Sequence, residues 1–457
     1  MVVVFGTVAS NAAPPSEDAT LWVNSSTGDD SRSKATVAAS GGSLPWAPLG
    51  RAVWGSTSAA APNTAEAADA GDVVDVVGNH AVAGSGLRMT PAWNPANSGT
   101  SGSPVVFRST TGSVLSLSSS EGPVIGARSR SYITWQGFTI NGVDAPSTSD
   151  TGHIDIFESD HVQILDCTIT GDVDHPDTGQ GNYNAIRVEA SDDCLIQDCA
   201  LSEIAEEGVY GGNQAAIMTY DANRLTVEYC TIHQVGVGVY FKGTHDVDGE
   251  SQADNIVRYN LIYDARSRGI EIGSAQGGEC YQNIIYQVNG APAGIHVQGW
   301  AATTYVPASP VEWDIYNNVI DGCDIGISYE GLGDIARHVD LRVWNNIVLN
   351  CRLSVGSTAL SGPGDSAHEH NIYHGSTQAV ANFGSDLSLA SWQALSPAQD
   401  SASPVAITSD PLFTNEAGHD YHLQGGSPAV SQGRTFGGGT VNAGAYLTGS
   451  ESIGRRT

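Results

Sequence analysis

The sequence predicts an all-β solenoid of short stacked strands, and three observations lead to that fold class. The chain has 457 residues, of which only 15% are charged and 54 are glycine, a composition that favours a turn-rich repeat over a conventional multi-domain enzyme. A short motif recurs along most of the chain, and in most repeats a second motif of alternating apolar residues follows it. Rungs of constant cross-section, whose loops absorb insertions, explain both motifs, and this architecture is a parallel β-helix.

The first motif is a Cys or Asn followed by apolar residues. Its members are Cys167, Cys199, Cys230, Asn260, Asn283, Asn318, Asn346 and Asn371, at intervals of 32, 31, 30, 23, 35, 28 and 25 residues. Equivalent residues of neighbouring rungs stack about 4.8 Å apart, so we expect a buried thiol ladder that continues as an asparagine ladder, in which the amides satisfy one another. Cys323 and Cys351 each lie five residues beyond a ladder asparagine and are predicted to be neighbours.

The second motif alternates with period two, which is typical of a short strand with one buried face. Its predicted inward residues are Ile154, Ile186, Ile217, Val239, Ile270, Ile295 and Ile327. The next positions form an outward column of Asp155, Arg187, Met218, Tyr240, Glu271, His296 and Ser328, and a second outward column reads Phe157, Glu189, Tyr220, Lys242, Gly273, Gln298 and Glu330. The position before each inward residue is mostly small: His153, then Ala185, Ala216, Gly238, Gly269, Gly294 and Gly326. Small residues beside reactive ones predict a shallow groove with those groups on its floor.

Composition excludes several classes of function. The formal net charge is −30, and only two residues, Lys34 and Lys242, are lysines, so the chain has too few cations to neutralise a run of phosphates, and we expect no nucleic-acid partner. No run of about 18 apolar residues is present, so we expect no membrane span. Seven cysteines without a CxxC pair favour neither a disulfide scaffold nor a metal site.

The chain divides into four predicted segments. Residues 1–19 are a leader remnant or flexible N-terminus, because an apolar start precedes a small-x-small site at Ser10-Asn11-Ala12. Residues 20–130 form an N-terminal cap and the first rungs, 131–375 the central rungs, and 376–457 the C-terminal rungs and cap. We expect a secreted, extracellular monomer.

The pattern resembles the right-handed parallel β-helix superfamily of extracellular polysaccharide lyases, hydrolases and epimerases. The resemblance includes an opening segment, Thr20-Leu21-Trp22-Val23 with Pro48-Leu49-Gly50-Arg51-Ala52-Val53, and a closing segment, Asp410-Pro411-Leu412-Phe413, Asp420-Tyr421-His422-Leu423 and Gly426-Ser427-Pro428-Ala429. It implies a right-handed coil with an N-terminal capping helix and an irregular C-terminal cap. In the alginate- and chondroitin-lyase branch, a catalytic Lys and Arg occupy successive rungs at the column of Lys242; here Gly273 stands at the Arg position.

The predicted reaction is β-elimination of an acidic, uronate-containing polysaccharide. It needs a cation to neutralise the carboxylate, a base for the C5 proton and an acid for the leaving oxygen. Lys242 is the first choice as base, with Tyr240 and Tyr220 as alternatives for base or acid, His296 as a proton donor and Arg187 as a flanking cation. Residues predicted to contact the polymer are Arg266, Arg268, Glu271, Gln298 and Trp300, the two arginines lying in a turn.

Calcium is the predicted cofactor, and no organic cofactor is expected. With a net charge of −30, the protein would repel an anionic polymer unless the groove were locally positive or bridged by a metal. Asp155 and Glu189 are the candidate metal ligands, and the acidic loop with Asp246, Asp248 and Glu250 is a second candidate.

Two other functions remain open at this point. A glycoside hydrolase or an epimerase is compatible with the same scaffold; hydrolysis needs two carboxyl groups about 5–9.5 Å apart, and Asp155 and Glu189 lie on neighbouring rungs. The second alternative is a non-catalytic surface or carbohydrate-binding β-helix, in which Tyr220, Tyr240 and Trp300 stack on sugar faces.

Overall fold

The computed structural model describes residues 18–456 apart from 86, 88, 120–121, 142–150, 176–182, 207–212, 243–251, 274, 289–292, 300–310, 332–338, 358–366, 396–398, 401–407, 437–438 and 448–449. The described residues form two compact units, one reaching Met218 and the other running from Thr219 to Arg456. Within the described residues, no helix is long and apolar enough to cross a membrane.

The N-terminal unit begins with a strand and two short helices. Strand Leu21–Asn24 pairs in parallel with Val73–Val77, and the helices Lys34–Ala39 and Leu49–Trp54 lie between them in the chain. The second helix ends at Gly55, whose φ of +69° is a left-handed conformation that glycine adopts without strain. It buries Leu49 and Val53, and the predicted capping helix is thereby confirmed.

The described strands of the N-terminal unit fall into three rows, in which equivalent strands of successive rungs pair in parallel. Row A comprises Leu21–Asn24, Val73–Val77, Val105–Ser109, Ile133–Gln136, Gln163–Leu165 and Leu195–Gln197. Row B comprises His80–Ala83, Val114–Ser119, Thr139–Asn141, Thr168–His175 and Ala200–Glu206. Row C comprises Ile125–Arg128, Thr151–Phe157, Tyr183–Glu189 and Ala215–Tyr220, and the last two residues of this fourth strand belong to the C-terminal unit.

The C-terminal unit repeats the three rows. Row A comprises Thr226–Glu228, Asn255–Arg258, Gly277–Tyr281, Val311–Tyr316, Val339–Trp344 and Ala367–Glu369. Two long strands, Thr231–Lys242 and Leu261–Gly273, run through rows B and C without a break. After them row B comprises Ile284–Tyr286, Val319–Asp321, Ile347–Leu349 and Ile372–His374, and row C comprises Ala293–Gly299, Ile325–Gly331, Leu353–Ser357 and Ala379–Phe383, which Asp386–Leu387 joins in antiparallel fashion.

The core of the C-terminal unit is built from columns of equivalent apolar residues. In row C, Val239 pairs with Ile270, Ile270 with Ile295, and Ile295 with Ile327. All four side chains are fully buried. The inward column that the sequence predicts is therefore confirmed in register, rung by rung.

The small residues at the start of row C face the aliphatic side chains of row B. A Cβ atom at Gly294 would lie 2.4 Å from Cγ2 of Ile320, and one at Gly326 would lie 2.2 Å from Cγ1 of Val348. Both distances are far below van der Waals contact, so glycine is required by core packing. The expectation that this column lines an outer groove is wrong.

The predicted asparagine ladder is confirmed from Asn260 to Asn371. Each side-chain Nδ2 donates to the Oδ1 of the next asparagine at 3.0 Å, and each backbone N–H donates to the same oxygen at 3.0–3.1 Å. The ladder begins at the backbone N–H of Cys230 and ends on the buried carboxylate of Asp400. Buried amides are costly unless they are bonded, and here each one satisfies its neighbour.

The residue before each ladder position adopts a left-handed conformation, with φ between 51° and 59°. These residues are Asp166, Asp198, Tyr229, Tyr259, Gln282, Asn317, Asn345 and His370. The repeated turn brings the chain from row A into row B. Asp and Asn adopt this conformation readily, whereas Tyr, Gln and His do so at a cost of about 1 kcal/mol, which the ladder bonds offset.

All seven cysteines are buried and present as thiols. The thiols of Cys167, Cys199 and Cys230 each donate to a backbone carbonyl two residues earlier, at 3.4 Å. The predicted proximity of Cys323 and Cys351 is confirmed, since a hydrogen bond between the two thiols raises the pKa of Cys351.

The C-terminal segment covers an apolar face of row B in its own unit. It contains helix Leu389–Gln393, a 3-10 turn Glu416–Gly418, and the strand pairs Phe413–Asn415 with Asp420–Leu423 and Gly433–Phe436 with Gly439–Val441. Phe413 and Tyr421 pack on the column that includes Ile284, Val319 and Ile347, and the Tyr421 hydroxyl donates to Asp321 at 2.7 Å.

Candidate functional site

The two outward columns of row C are in register in the C-terminal unit. Tyr240 pairs with Glu271, Glu271 with His296 and His296 with Ser328. Two residues further along the same strands, Lys242 pairs with Gly273, Gly273 with Gln298 and Gln298 with Glu330. The chemistry-bearing residues named from the sequence are thus brought together on one face, here called the row C cluster: Tyr220, Tyr240, Lys242, Arg268, Glu271, His296, Gln298 and Glu330.

Most of the cluster is buried. Lys242 is 7% exposed, Tyr220 4% and Glu271 1%, whereas the side chains of Arg268 and Glu330 are 19% and 36% exposed. The sequence predicts these groups on the floor of an open groove. Instead, a few accessible polar groups lie beside buried ionisable ones, a setting that shifts pKa values strongly.

Lys242 and Tyr220 form a hydrogen-bonded pair. The Lys242 Nζ donates to the Tyr220 hydroxyl at 3.0 Å and lies 5.0 Å from the centre of the same ring. Buried Gln252 donates to the backbone carbonyl of Lys242 and binds the Thr219 hydroxyl through its own carbonyl oxygen. Hydrogen bonds therefore hold Lys242 both at its backbone carbonyl and at its side-chain nitrogen.

Glu271 is paired with Arg268, from the same strand. The Arg268 Nη1 donates to Glu271 Oε2 at 2.9 Å. Burial raises the pKa of Glu271 to about 7, although the charges of Arg268 and Lys242 oppose the rise and that of Glu330 adds to it. Burial and the neighbouring Glu271 carboxylate also raise the pKa of Tyr240. Glu271 therefore exchanges its proton near neutral pH.

His296 lies between a hydroxyl and a carboxylate. Its Nδ1 is 2.5 Å from Ser328 Oγ, and its Nε2 is 3.4 Å from Glu330 Oε2. Burial lowers the pKa of His296, and the close approach of His296 lowers the pKa of Glu330. Two carboxyl groups on this face, Glu271 and Glu330, thus have pKa values displaced in opposite directions.

The expectation that Arg266 and Arg268 occupy a turn is wrong, because both lie within strand Leu261–Gly273. Arg268 pairs with Val237 just after a register shift, where row B passes into row C. Arg266 is half-buried. Trp300 and the acidic loop containing Asp246, Asp248 and Glu250 lie outside the described residues.

The remaining predicted residues form a separate group in the N-terminal unit. Arg187 pairs with Asp155 across row C, and its Nε and Nη2 donate to Glu189 Oε2 at 3.0 and 2.8 Å. The buried Asp155 accepts the backbone N–H of Gly152 at 2.7 Å. Oε2 of Glu189, a candidate metal ligand, is thus hydrogen-bonded to the Arg187 guanidinium. Nowhere in the described part of the chain do three or more His, Cys, Asp or Glu side chains form a group that could hold a metal ion.

Sequence reasoning named Ser328 and Glu330 as members of columns but gave them no role, and it did not name Gln252. The position of Glu330 in the second outward column could have indicated a role, because Glu330 lies one rung beyond the predicted contact residue Gln298 and two residues after Ser328. Gln252 has no such signal, since its contacts come from a segment outside the repeat motifs.

Comparison with known proteins agrees with this architecture. The family described as "Right handed beta helix region" matches residues 124–308, and no curated protein matches the chain.

Three enzymes are among the solved structures to which the chain is similar at a low level. They are "Rhamnogalacturonan lyase" (14% identity, TM-score 0.43, covering 78% of this chain and 82% of that one), an exopolygalacturonase from Thermotoga maritima (11%, 0.44, 68% and 81%) and pectate lyase Pel9A (11%, 0.45, 94% and 97%). Likeness at this level carries no substrate or reaction over to this chain. The parallel register and the family match identify residues 124–308 as a right-handed β-helix region.

Proposed function

We propose that this protein is an extracellular polysaccharide lyase that cleaves a uronate-containing polymer by β-elimination, with Lys242 as the base. The observation that carries the proposal is the Lys242–Tyr220 pair. A nearly buried amine lies 3.0 Å from a phenol on the same face as a partly accessible arginine, so base, acid and cation occur together.

Each chemical requirement has a candidate group. Arg268, partly exposed, neutralises the substrate carboxylate and so acidifies the C5 proton. Lys242 takes that proton as the C4–C5 double bond forms and the C4–O bond breaks. Tyr220 protonates the leaving oxygen and regains a proton from Lys242 across their hydrogen bond.

The charge balance of the face is compatible with an anionic substrate. Arg268 is cationic, and Arg266 lies in the same strand; Lys242 adds no negative charge as the neutral base. Glu271, with a pKa of about 7, is partly neutral at pH 7. The site is therefore far less negative than the net charge of −30 suggests.

The test is product analysis on alginate, pectate, chondroitin and ulvan, with and without Ca²⁺, following absorbance near 235 nm from new unsaturated ends. Lys242→Ala is expected to reduce the rate by about a thousandfold, the order of magnitude of general base catalysis. The matched control is Lys34→Ala, the only other lysine, which pairs with Asp69 and Asp72 in the N-terminal unit and is expected to leave the rate unchanged. Full activity in Lys242→Ala would exclude Lys242 as the base, and the absence of unsaturated products from all four polymers would exclude the proposed reaction on them.

A second candidate, glycoside hydrolysis, is favoured by the opposite pKa displacements of Glu271 and Glu330. A protonated acid beside an ionised base is the pairing that hydrolysis requires. The two residues lie two rungs apart and are offset by two positions along the strands, so their Cα atoms are about 12 Å apart at the usual spacings, and side chains turned toward each other would bring the carboxyl groups near the separation of inverting enzymes. Reducing ends without absorbance at 235 nm, lost in Glu271→Gln and in Glu330→Gln, would select hydrolysis over elimination.

A further inference from the structure

The N-terminal unit has a shallow polar hollow on the outer face of row A. Its volume is about 220 Å³, less than the 300–1,000 Å³ of pockets for drug-sized ligands. The floor includes Thr134 and Gln163, which are paired residues of adjacent strands. One wall is a tight turn closed by hydrogen bonds between Thr100 and Ser103. The hollow is therefore built from strand and turn backbone, and its size suits a single small ring.

An aromatic pair forms another wall. The rings of Tyr132 and His161 stack with centroids 4.4 Å apart and an angle of 19°. Their backbones are fixed by neighbouring rungs, because the Tyr132 N–H donates to the backbone carbonyl of Asp160 at 3.0 Å and the His161 N–H donates to the backbone carbonyl of Asp192 at 2.9 Å. The pair is thus held in place before any ligand arrives, which lowers the entropic cost of binding.

The polar groups of the hollow are neutral or negative. Thr134 offers a hydroxyl, Gln163 an amide, and Asp193 a carboxylate that lies 3.9 Å from His161 Nε2. Asp160 and Asp192 are also close, since their backbone carbonyls accept the N–H groups of the lining residues Tyr132 and His161. No described residue that lines the hollow is a lysine or an arginine. An anionic ligand would therefore be repelled.

We infer that this hollow binds one neutral sugar residue of a polysaccharide. The apolar face of a pyranose ring packs on the Tyr132–His161 wall, and its hydroxyls, which both donate and accept, match the Thr134, Gln163 and Asp193 side chains. This site lies in the N-terminal unit and shares no residue with the row C cluster, so it goes beyond the proposed lyase activity and does not depend on it.

The test uses saturation-transfer NMR on the full chain with cellotriose, mannotriose and β-1,4-galactotriose, and with trigalacturonate as the anionic comparison. At least one neutral trisaccharide is expected to bind, and Gln163→Ala and His161→Asn are each expected to weaken it at least tenfold. Asn is chosen because His161 has a φ of +56°, a conformation that Asn adopts with little strain. The matched control is Gln136→Ala, which changes a row A glutamine that does not line the hollow.

Melting temperatures close to that of the wild type show that the variants are folded. If either variant is unfolded, Gln163→Glu, which adds a charge at the same position without removing volume, replaces it and is expected to weaken binding as well. The inference is overturned if none of the neutral trisaccharides binds, if binding is unaffected in the folded variants, or if only trigalacturonate binds in a manner that depends on Gln163.

Discussion

Replacing Glu271 by glutamine should change how stability depends on pH, by an amount that the structure sets. Burial raises the pKa of Glu271 from 4.5 to about 7. The folded protein therefore holds this proton more tightly than the unfolded chain, and its stability falls as pH rises from 4.5 to 7. Each pKa unit corresponds to 1.36 kcal/mol. Ionisation of this carboxyl group therefore lowers the free energy of unfolding by about 3 kcal/mol at pH 8 relative to pH 4.5.

Glutamine keeps the shape of the protonated acid and cannot ionise. Glu271→Gln should therefore match the wild type near pH 4.5 and exceed it by about 3 kcal/mol at pH 8. Urea unfolding, followed by tryptophan fluorescence at several pH values, measures this difference, and titration of other groups cancels between the two proteins. The charged groups that face Glu271, namely Arg268, Lys242 and Glu330, are unchanged in the variant. A constant gap between the two curves from pH 4.5 to 8 would refute the reasoning.

Glu330→Gln is the matched control because the pKa of Glu330 is lowered. Its carboxylate adds stability that is present above pH 4.5 and is lost as pH falls through the folded pKa. The control should be less stable than the wild type at neutral pH, with a gap that closes in acid. The same direction of change in both variants would mean that the displaced pKa values have been assigned wrongly.

Three further predictions concern the scaffold. Asn318→Ala removes a ladder amide with several buried partners, so it should lower the free energy of unfolding by about 3 kcal/mol or more, measured by urea unfolding; a loss below 1 kcal/mol would contradict the ladder's role. Gly294→Ala places a Cβ against Ile320 and should lower the free energy of unfolding by about 1–3 kcal/mol. The double variant with Ile320→Ala, which removes the clashing group, should lose less stability than the sum of the two single variants; additive losses would contradict the clash. Because all seven cysteines are buried thiols, none should react with a thiol reagent in the native protein and all seven should react in guanidinium; fewer than seven in denaturant would indicate a disulfide.

The inward and outward columns of row C could be predicted from the sequence, because period-two alternation determines which side chains share a face. Once the inward residues Val239, Ile270 and Ile295 are aligned, the outward neighbours follow without further information. The Lys242–Tyr220 contact is also implied, since both residues occupy one column on successive rungs. The ladder was predictable for the same reason: a constant position in every rung becomes a stack.

Burial of the cluster and the third row of strands could not be read from the same pattern. Outward positions are polar in exposed and in covered strands alike, so alternation does not reveal that Glu271 is only 1% exposed. Row A strands such as Gln163–Leu165 are three residues long, too short for a periodicity to show. The sequence predicts a turn at Arg268 because it gives no sign that two rows merge into the single strand Leu261–Gly273.

The stacking that makes the asparagine ladder stable also limits which charges row C can carry. Neighbouring rungs lie about 4.8 Å apart, where two like charges in a buried column would repel strongly. In the C-terminal unit the columns avoid this, because Tyr240 precedes Glu271 and a neutral glutamine precedes Glu330. Among the described residues of these two columns, the deeply buried carboxylate is that of Glu271, which is paired with Arg268 and still has a displaced pKa. The chain therefore keeps a nearly neutral row C cluster in a protein of net charge −30, and that local neutrality is what an anionic polymer would require.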